Sequence, residues 1–212
     1  MTDPETSITV VVVDDHHVVR SGIIGWIESE PDMTVVGSGS TADEAVDLVS
    51  RHTPSVLLID LHLRGRKATD VAHTLRDQGS TTCIIVMTGY EKNRVRQVLA
   101  SGANGYLSKE DKREVMIDAI RWGASGTSGI WVSPSSLQFM LEIERELRDA
   151  ELTKMEMQIL AMIDMSNTEI CTDLGISDGT LRNHLSNIYF KLRVQNRSEA
   201  AAKARHLGLT QS

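Results

Sequence analysis

The stretch VVVVDDHH, residues 10–17, decides how this chain is read. Four consecutive valines read as the end of a strand buried on both faces. Two adjacent carboxylates follow at once. Side by side they repel each other, and each is costly to take out of water. They are tolerated where burial is ending only if water or a cation holds them apart.

Working outward, short apolar runs alternate with amphipathic stretches. Strands are predicted at 8–14, 33–38, 55–60, 82–87 and, more weakly, 104–108. Helices are predicted near 17–29, 41–51, 67–77, 91–101 and 111–122. In the second of these, Ala42, Ala45, Val46 and Val49 fall at helical spacing. This alternation predicts an α/β fold with a doubly wound, five-stranded parallel sheet. In such sheets ligands bind beyond the C-terminal strand ends, where strand order reverses; for the order 2-1-3-4-5 that is between strands 1 and 3. Strand 1 ends in Asp14 and Asp15, and strand 3 ends in Asp60. Three carboxylates would meet there, and Mg2+ suits a partly hydrated set of hard oxygens. Thr88 after strand 4 offers a hydroxyl, and Lys109 after strand 5 a positive charge. The whole set suits a phosphoryl group. Taken singly, each residue has a plainer reading: an Asp after a strand is most often a helix cap, and a Lys is usually solvated. The inference rests on all of them falling at strand ends.

Bulk properties bound the rest. A chain of 212 residues fits two ordinary domains. The hydrophobic content of 41% is enough for packed cores. A net charge of −7 excludes a generic polyanion binder, so any nucleic-acid surface must be local. Cys83 and Cys171 lie far apart in apolar surroundings and read as reduced thiols. No apolar run approaches a membrane span, and MTDPETS is too polar for a signal peptide. The expectation is a soluble, cytoplasmic protein with no membrane partner.

The segment GTSGIWVSPSS, 126–136, reads as a boundary, and 137–151 as a charged helix. It either packs on one domain or sets how the halves lie, with Trp122 and Trp131 as possible contacts. From Thr153 the signals are helix starts. TKME and SNTE are capping boxes, and NRSE is a looser version with Asn as cap. Gly175 ends one helix and Ser177 caps the next. Leu181, Leu185, Ile188 and Leu192 make one buried face, opposite Arg182, Asn183, Ser186 and Asn187. Two helices joined by a tight glycine turn form a helix-turn-helix, whose second helix enters the major groove.

VVVVDDHHVVRSGI, LLIDLHL, VMTGY and GANGYLSK resemble the receiver domain of two-component response regulators, over about residues 7–122. The resemblance implies a flavodoxin-like receiver with Asp60 as phosphoacceptor from a sensor histidine kinase. It implies Mg2+ held by Asp14, Asp15, Asp60 and the backbone carbonyl of His62. It implies Lys109 on the phosphoryl oxygens, and Thr88 and Tyr106 as the switch. LTKMEMQIL, NTEICTDLGISDGTLRNHLSNIYFKL and NRSEAAAKA resemble the LuxR-type module of NarL/FixJ regulators, over about 151–209. That likeness implies DNA contacts by Thr180, Arg182, Asn183 and Ser186, with Lys191 on a phosphate, and a dimer contact through about 197–206. Arg and Asn can read guanine and adenine, respectively. The expected divisions are a receiver at 1–125, a linker at 126–150 and the small all-α module at 151–212.

There are departures from the family pattern. Arg64 stands where Pro is usual, and Ala68 where Gly is common. Arg64, Arg66 and Lys67 either draw in phosphate or are solvated. The loop MIDMS is one residue short and lacks its usual Gly, and Phe190 takes a place where polar or basic residues are common. Residues 151–212 carry seven basic and seven acidic side chains, although 181–198 holds four bases and no acid. Weak DNA binding by a monomer follows, so dimerisation would matter. The leading expectation is a phosphorylation-controlled, DNA-binding transcription regulator that is no enzyme beyond self-phosphorylation and self-dephosphorylation. The alternatives are an atypical receiver run by a ligand or partner, a Mg2+-dependent phosphohydrolase with a fused helical module, and a pure protein-interaction module.

Overall fold

The computed structural model describes residues 7–89 and 94–210. The chain divides into two compact units between Gln138 and Phe139. The first unit holds β1 (Ile8–Val13), α1 (His17–Glu28), β2 (Met33–Gly39), α2 (Ala42–His52) and β3 (Val56–Asp60). A small hairpin follows, β4 (His62–Leu63) and β5 (Arg66–Lys67), then α3 (Ala68–Asp77) and β6 (Cys83–Thr88). Next come α4 (Val95–Ala100), β7 (Gly105–Ser108), α5 (Arg113–Ala124) and β8 (Trp131–Val132). The helix expected over 91–101 is α4, and residues 91–93 lie outside the described residues.

The sheet order is β2-β1-β3-β6-β7-β8, with every pair parallel. Its first five strands follow the predicted 2-1-3-4-5 order. A sixth strand of two residues extends the five predicted: Trp131 pairs with Gly105 and Val132 with Tyr106. Two residues in a Gly/Ser-rich stretch are too few for any periodicity to mark. Val10, Val11, Val12 and Val13 are each 0% exposed, as a centrally placed strand covered on both faces requires. On one face, Val10, Val12, Leu58 and Ile85 pack with Ile23 and Ile27 of α1 and Met116 and Ile120 of α5. Trp122 and Trp131 rest on this same cluster.

Arg76 ties together the segments that lead into β6 and β7. Its guanidinium donates to the carbonyls of Gly102 (3.0 Å), Ser80 (2.8 Å) and Thr82 (3.1 Å) and to Asn104 Oδ1 (2.6 Å). Asn104 Oδ1 also accepts from the Ile84 N–H at 2.9 Å. One side chain thereby satisfies the strand-entry carbonyls that β6 and β7 leave open.

The second unit is helical. The long α6 (Pro134–Asp149) crosses the division, opening on a proline at its first position. It starts three residues earlier than the apolar pattern indicated. After it come α7 (Lys154–Ala161), α8 (Asn167–Leu174), α9 (Asp178–Leu192) and α10 (Arg197–His206). Thr153 and Ser166 form the two capping boxes with Glu156 and Glu169. Asn196 caps α10 by accepting from the Glu199 N–H. Gly175 ends α8 at φ 64, and Ser177 caps α9. Ile159, Ile163, Ile170, Leu181, Ile188 and Ala204 form the core.

Two glycines separate packing from propensity. A Cβ on Gly123 would stand 2.7 Å from Cys83 Sγ, whereas one on Gly25 would meet nothing within 4 Å. Gly123→Ala is expected to destabilise the first unit by about 1–3 kcal/mol, and Gly25→Ala to stabilise it by about 0.5–1 kcal/mol. Urea titration followed by tryptophan fluorescence reads both, because Trp26, Trp122 and Trp131 all lie in the first unit.

Candidate functional site

The C-terminal ends of β1 and β3 bring Asp14, Asp15 and Asp60 together. Asp14 is fully buried and Asp60 is 5% exposed. The ammonium of Lys109, just past β7, sits between them. Its Nζ lies 2.7 Å from Asp14 Oδ2 and 2.9 Å from Asp60 Oδ2. The Lys109 N–H donates to the Thr88 carbonyl at 2.7 Å, which anchors that loop to the end of β6. Thr88, His62, Lys109 and Asp60 line one open cavity of about 550 Å³, together with His16 and Val19. Tyr106 is fully buried within β7. The sequence-predicted pocket residues are therefore neighbours in space.

The electrostatics follow from burial. Loss of solvent pushes the Asp60 carboxyl above the ordinary carboxylate value, Lys109 pulls it back, and Asp14 and Asp15 add to the rise. Burial alone would lower the Lys109 ammonium. Its hydrogen bonds and charge contacts with Asp14 and Asp60 outweigh that, so its pKa is raised.

The donor chemistry fits a divalent cation. The three carboxylates are hard oxygen ligands. Asp14 Oδ2 and Asp15 Oδ1 are buried, the first against the Lys109 ammonium at 2.7 Å and the second against His16 Nδ1 at 2.8 Å. Ligand atoms from Asp14, Asp15, His16 and Asp60 all lie within 4.8 Å of one another. His16 stands at the N-cap position of α1, yet its side chain makes no capping bond.

In the second unit, Thr180, Arg182, Asn183 and Ser186 are all exposed on α9. Arg182 pairs with Asp178 one turn away, and the Thr180 N–H donates to Ser177 Oγ at 3.2 Å. Lys191 is differently placed. Its Nζ lies 2.8 Å from Glu156 Oε2 and donates to the Glu151 carbonyl at 2.9 Å. Glu156 is itself 2% exposed, and Lys191 and the Thr153 cap hold its carboxyl below the usual range against the pull of burial. Phe190 is 85% exposed, so it is not the edge of the core.

Arg197 was not foreseen as a structural residue. It donates to the carbonyls of Ile163 (2.8 Å) and Met165 and to Asn167 Oδ1 (2.6 Å). These bonds hold the shortened MIDMS loop, which lacks a glycine. A basic residue opening a helix carries no local mark of such a distant task.

Fold and site together define a receiver joined to a helical DNA-binding module. Residues 10–121 match the response regulator receiver domain, and 150–204 match the bacterial regulatory proteins of the luxR family. The nitrate/nitrite response regulator protein NarP of Escherichia coli is 34% identical, over 92% of this chain and 93% of NarP. The transcriptional regulatory protein LiaR of Bacillus subtilis is 34% identical, over 93% of this chain and 96% of LiaR. Among solved structures, the response regulator ChrA of a heme-sensing two-component system is 28% identical, with a TM-score of 0.58, over 96% of this chain and 99% of ChrA. The chain belongs to the NarL/FixJ-type response regulators, and it is a regulatory transcription factor rather than a classical enzyme. Among the described residues, no helix is long and apolar enough to cross a membrane.

Two outcomes test this geometry. A carboxyl with a raised folded pKa costs stability when ionised, and the cost is relieved as pH falls through that value toward the unfolded one. Asp60→Asn should therefore raise the melting temperature of the first unit at neutral pH. Its advantage over wild type should shrink as pH drops into the carboxylate range, as scanning calorimetry across pH would record. In the second unit, Lys191→Ala leaves Glu156 buried without its cation and should cost about 2–3 kcal/mol, measurable by chemical denaturation followed by far-ultraviolet circular dichroism.

Proposed function

We propose that this regulator is switched by phosphoryl transfer from a sensor histidine kinase to Asp60. The observation that carries the reading is Lys109, bridging Asp14 and Asp60 at the mouth of the crevice. A carboxylate needs in-line access and charge neutralisation rather than a base. An Asp60 oxygen forms a bond to phosphorus as the phosphorus–nitrogen bond of the donor histidine breaks, and the electron pair leaves with the imidazole. Lys109 then faces the added negative charge. Thr88 lines the same cavity, where its hydroxyl would meet a phosphoryl oxygen, and Tyr106 would be the second half of the switch. Asp14, Asp15, Asp60 and the His62 carbonyl are the residues that would hold Mg2+, which supplies charge neutralisation for the transferring group.

Double-stranded DNA is the proposed output partner. Thr180, Arg182, Asn183 and Ser186 form the exposed polar face of α9 that would enter the major groove. The phosphorylated protein would bind as a homodimer, with α10 as the contact. In this reading 1–125 would carry the phosphate chemistry, 126–150 would be the linker and 151–212 would bind DNA. Because Lys191 is engaged with Glu156, its contact with a phosphate would compete with that pair. Self-phosphorylation from a small acyl phosphate and self-dephosphorylation are the catalytic properties the pocket would have.

Incubation with Mg2+ and a small acyl phosphate tests the reading. Intact mass should show one added phosphoryl group on wild type and none on Asp60→Asn. No gain on wild type, with Mg2+ binding demonstrated, would move the protein to a receiver controlled without phosphate.

A further inference from the structure

Phe190 is an aromatic side chain that α9 leaves in water. It is 85% exposed, whereas Leu181, Leu185, Ile188 and Leu192 on the same helix are at most 7% exposed. The helix sets its direction. Phe190 follows Asn183 by seven residues, and seven residues bring a helical side chain back to within about 20° of where it began. Asn187 stands between them, with Arg182 and Ser186 alongside, and all five are exposed. Phe190 therefore belongs to the same stripe as the residues proposed for the major groove. It stands about 10 Å further along the helix axis than Asn183.

A ring neutralises no phosphate, and this stripe has little charge to spare. The two permanent cations of α9 both have partners, Arg182 in Asp178 and Lys191 in Glu156. What Phe190 adds is surface that water disfavours. The major groove offers an apolar feature to match it, the C5-methyl of thymine, and phenylalanine is among the side chains that pack on it. Base pairs are stacked about 3.4 Å apart. On a helix lying along the groove, a residue about 10 Å beyond Asn183 meets a base pair about three steps away.

We propose that Phe190 is a specificity-determining residue that packs on a thymine methyl at the edge of the DNA site, about three base pairs from the one that Asn183 reads. The proposal rests on the reading of α9 as the DNA-binding helix. A basic residue at this position would hold a phosphate and be blind to sequence, whereas the ring distinguishes thymine from the other bases.

The test presents the full chain with a pool of random duplexes, with and without Mg2+ and a small acyl phosphate, and sequences the bound DNA. Wild type is expected to enrich a thymine about three base pairs from the position whose preference disappears in Asn183→Ala. Phe190→Ala should keep the rest of the selected site and lose that thymine. On the selected duplex, deoxyuridine in place of the thymine removes the methyl alone. It should weaken wild type about threefold and Phe190→Ala not at all, and the salt dependence of binding should be the same in both proteins. Because Phe190 is exposed, the variant should fold, which far-ultraviolet circular dichroism verifies. A selected site with no thymine there, the same thymine selected by Phe190→Ala, or an equal deoxyuridine penalty in both proteins overturns the proposal. So does loss of self-association by Phe190→Ala in the absence of DNA, read by sedimentation, which assigns the ring to a second copy. Wild type that enriches no sequence in either condition overturns the DNA reading beneath it, which is a distinguishable result.

Discussion

The first unit depends on one ammonium among three carboxylates. A parallel sheet in this strand order necessarily aims the ends of β1 and β3 into the same crevice. Two of those ends carry acids that the core has nearly or wholly taken out of water. Without Lys109, Asp14 and Asp60 would face each other with nothing between them, and one would have to hold a proton. Lys109 is delivered by β7 and pinned by its own N–H to the end of β6, so three strand ends are joined by one charge. Asp60 nevertheless keeps a raised pKa, since one cation does not fully offset burial and two neighbouring acids. The pocket is stable but not satisfied, which is the condition under which a further cation or a phosphoryl group finds a use.

The frame of this pocket was legible in the sequence because its signals are local. Four valines before Asp14, the apolar run before Asp60 and the small strand before Lys109 each mark a strand and its end. The helix starts at Thr153, Ser166 and Asn196 were legible for the same reason, since a cap and its partner lie three residues apart. What escaped was long-range or too short. β8 is two residues, and β4 and β5 form a hairpin of two residues each, closed by Gly65 at φ 81. Arg76 and Arg197 spend their guanidinium groups on carbonyls far away in sequence, and no pattern of residue types records which carbonyl a fold will leave open. His16 stands at the N-cap of α1, and the direction of its imidazole depends on where Asp15 ends up.

Residues 151–212 show how a segment of no net charge can still present a basic surface. Of their seven cations, Arg182, Lys191, Lys203 and Arg205 are held in ion pairs, and Arg197 is spent on the α7–α8 loop. These pairs differ in worth. Arg182 with Asp178 is an exposed pair within one helix, so a phosphate or base can exchange for the aspartate at little cost. Lys191 with buried Glu156 is a structural pair, and drawing the lysine away would strand a carboxylate in the core. Position on α9 therefore matters less than partner: Arg182 is available to a ligand in a way that Lys191 is not. Few cations are left free for a polyanion, so pairing two copies would add avidity without any new contact.

In the unmodified pocket Lys109 divides itself between Asp14 and Asp60. A phosphoryl group on Asp60, as proposed, would carry more negative charge than the carboxylate and project further into the cavity, so it would be the stronger attractor for the ammonium. A turn of Lys109 toward it would leave Asp14, buried at the end of β1, without the ammonium that stands 2.7 Å from it. The divalent cation proposed for the acidic cluster would then take over that balance, and one buried carboxylate would tie the metal to the phosphoryl chemistry.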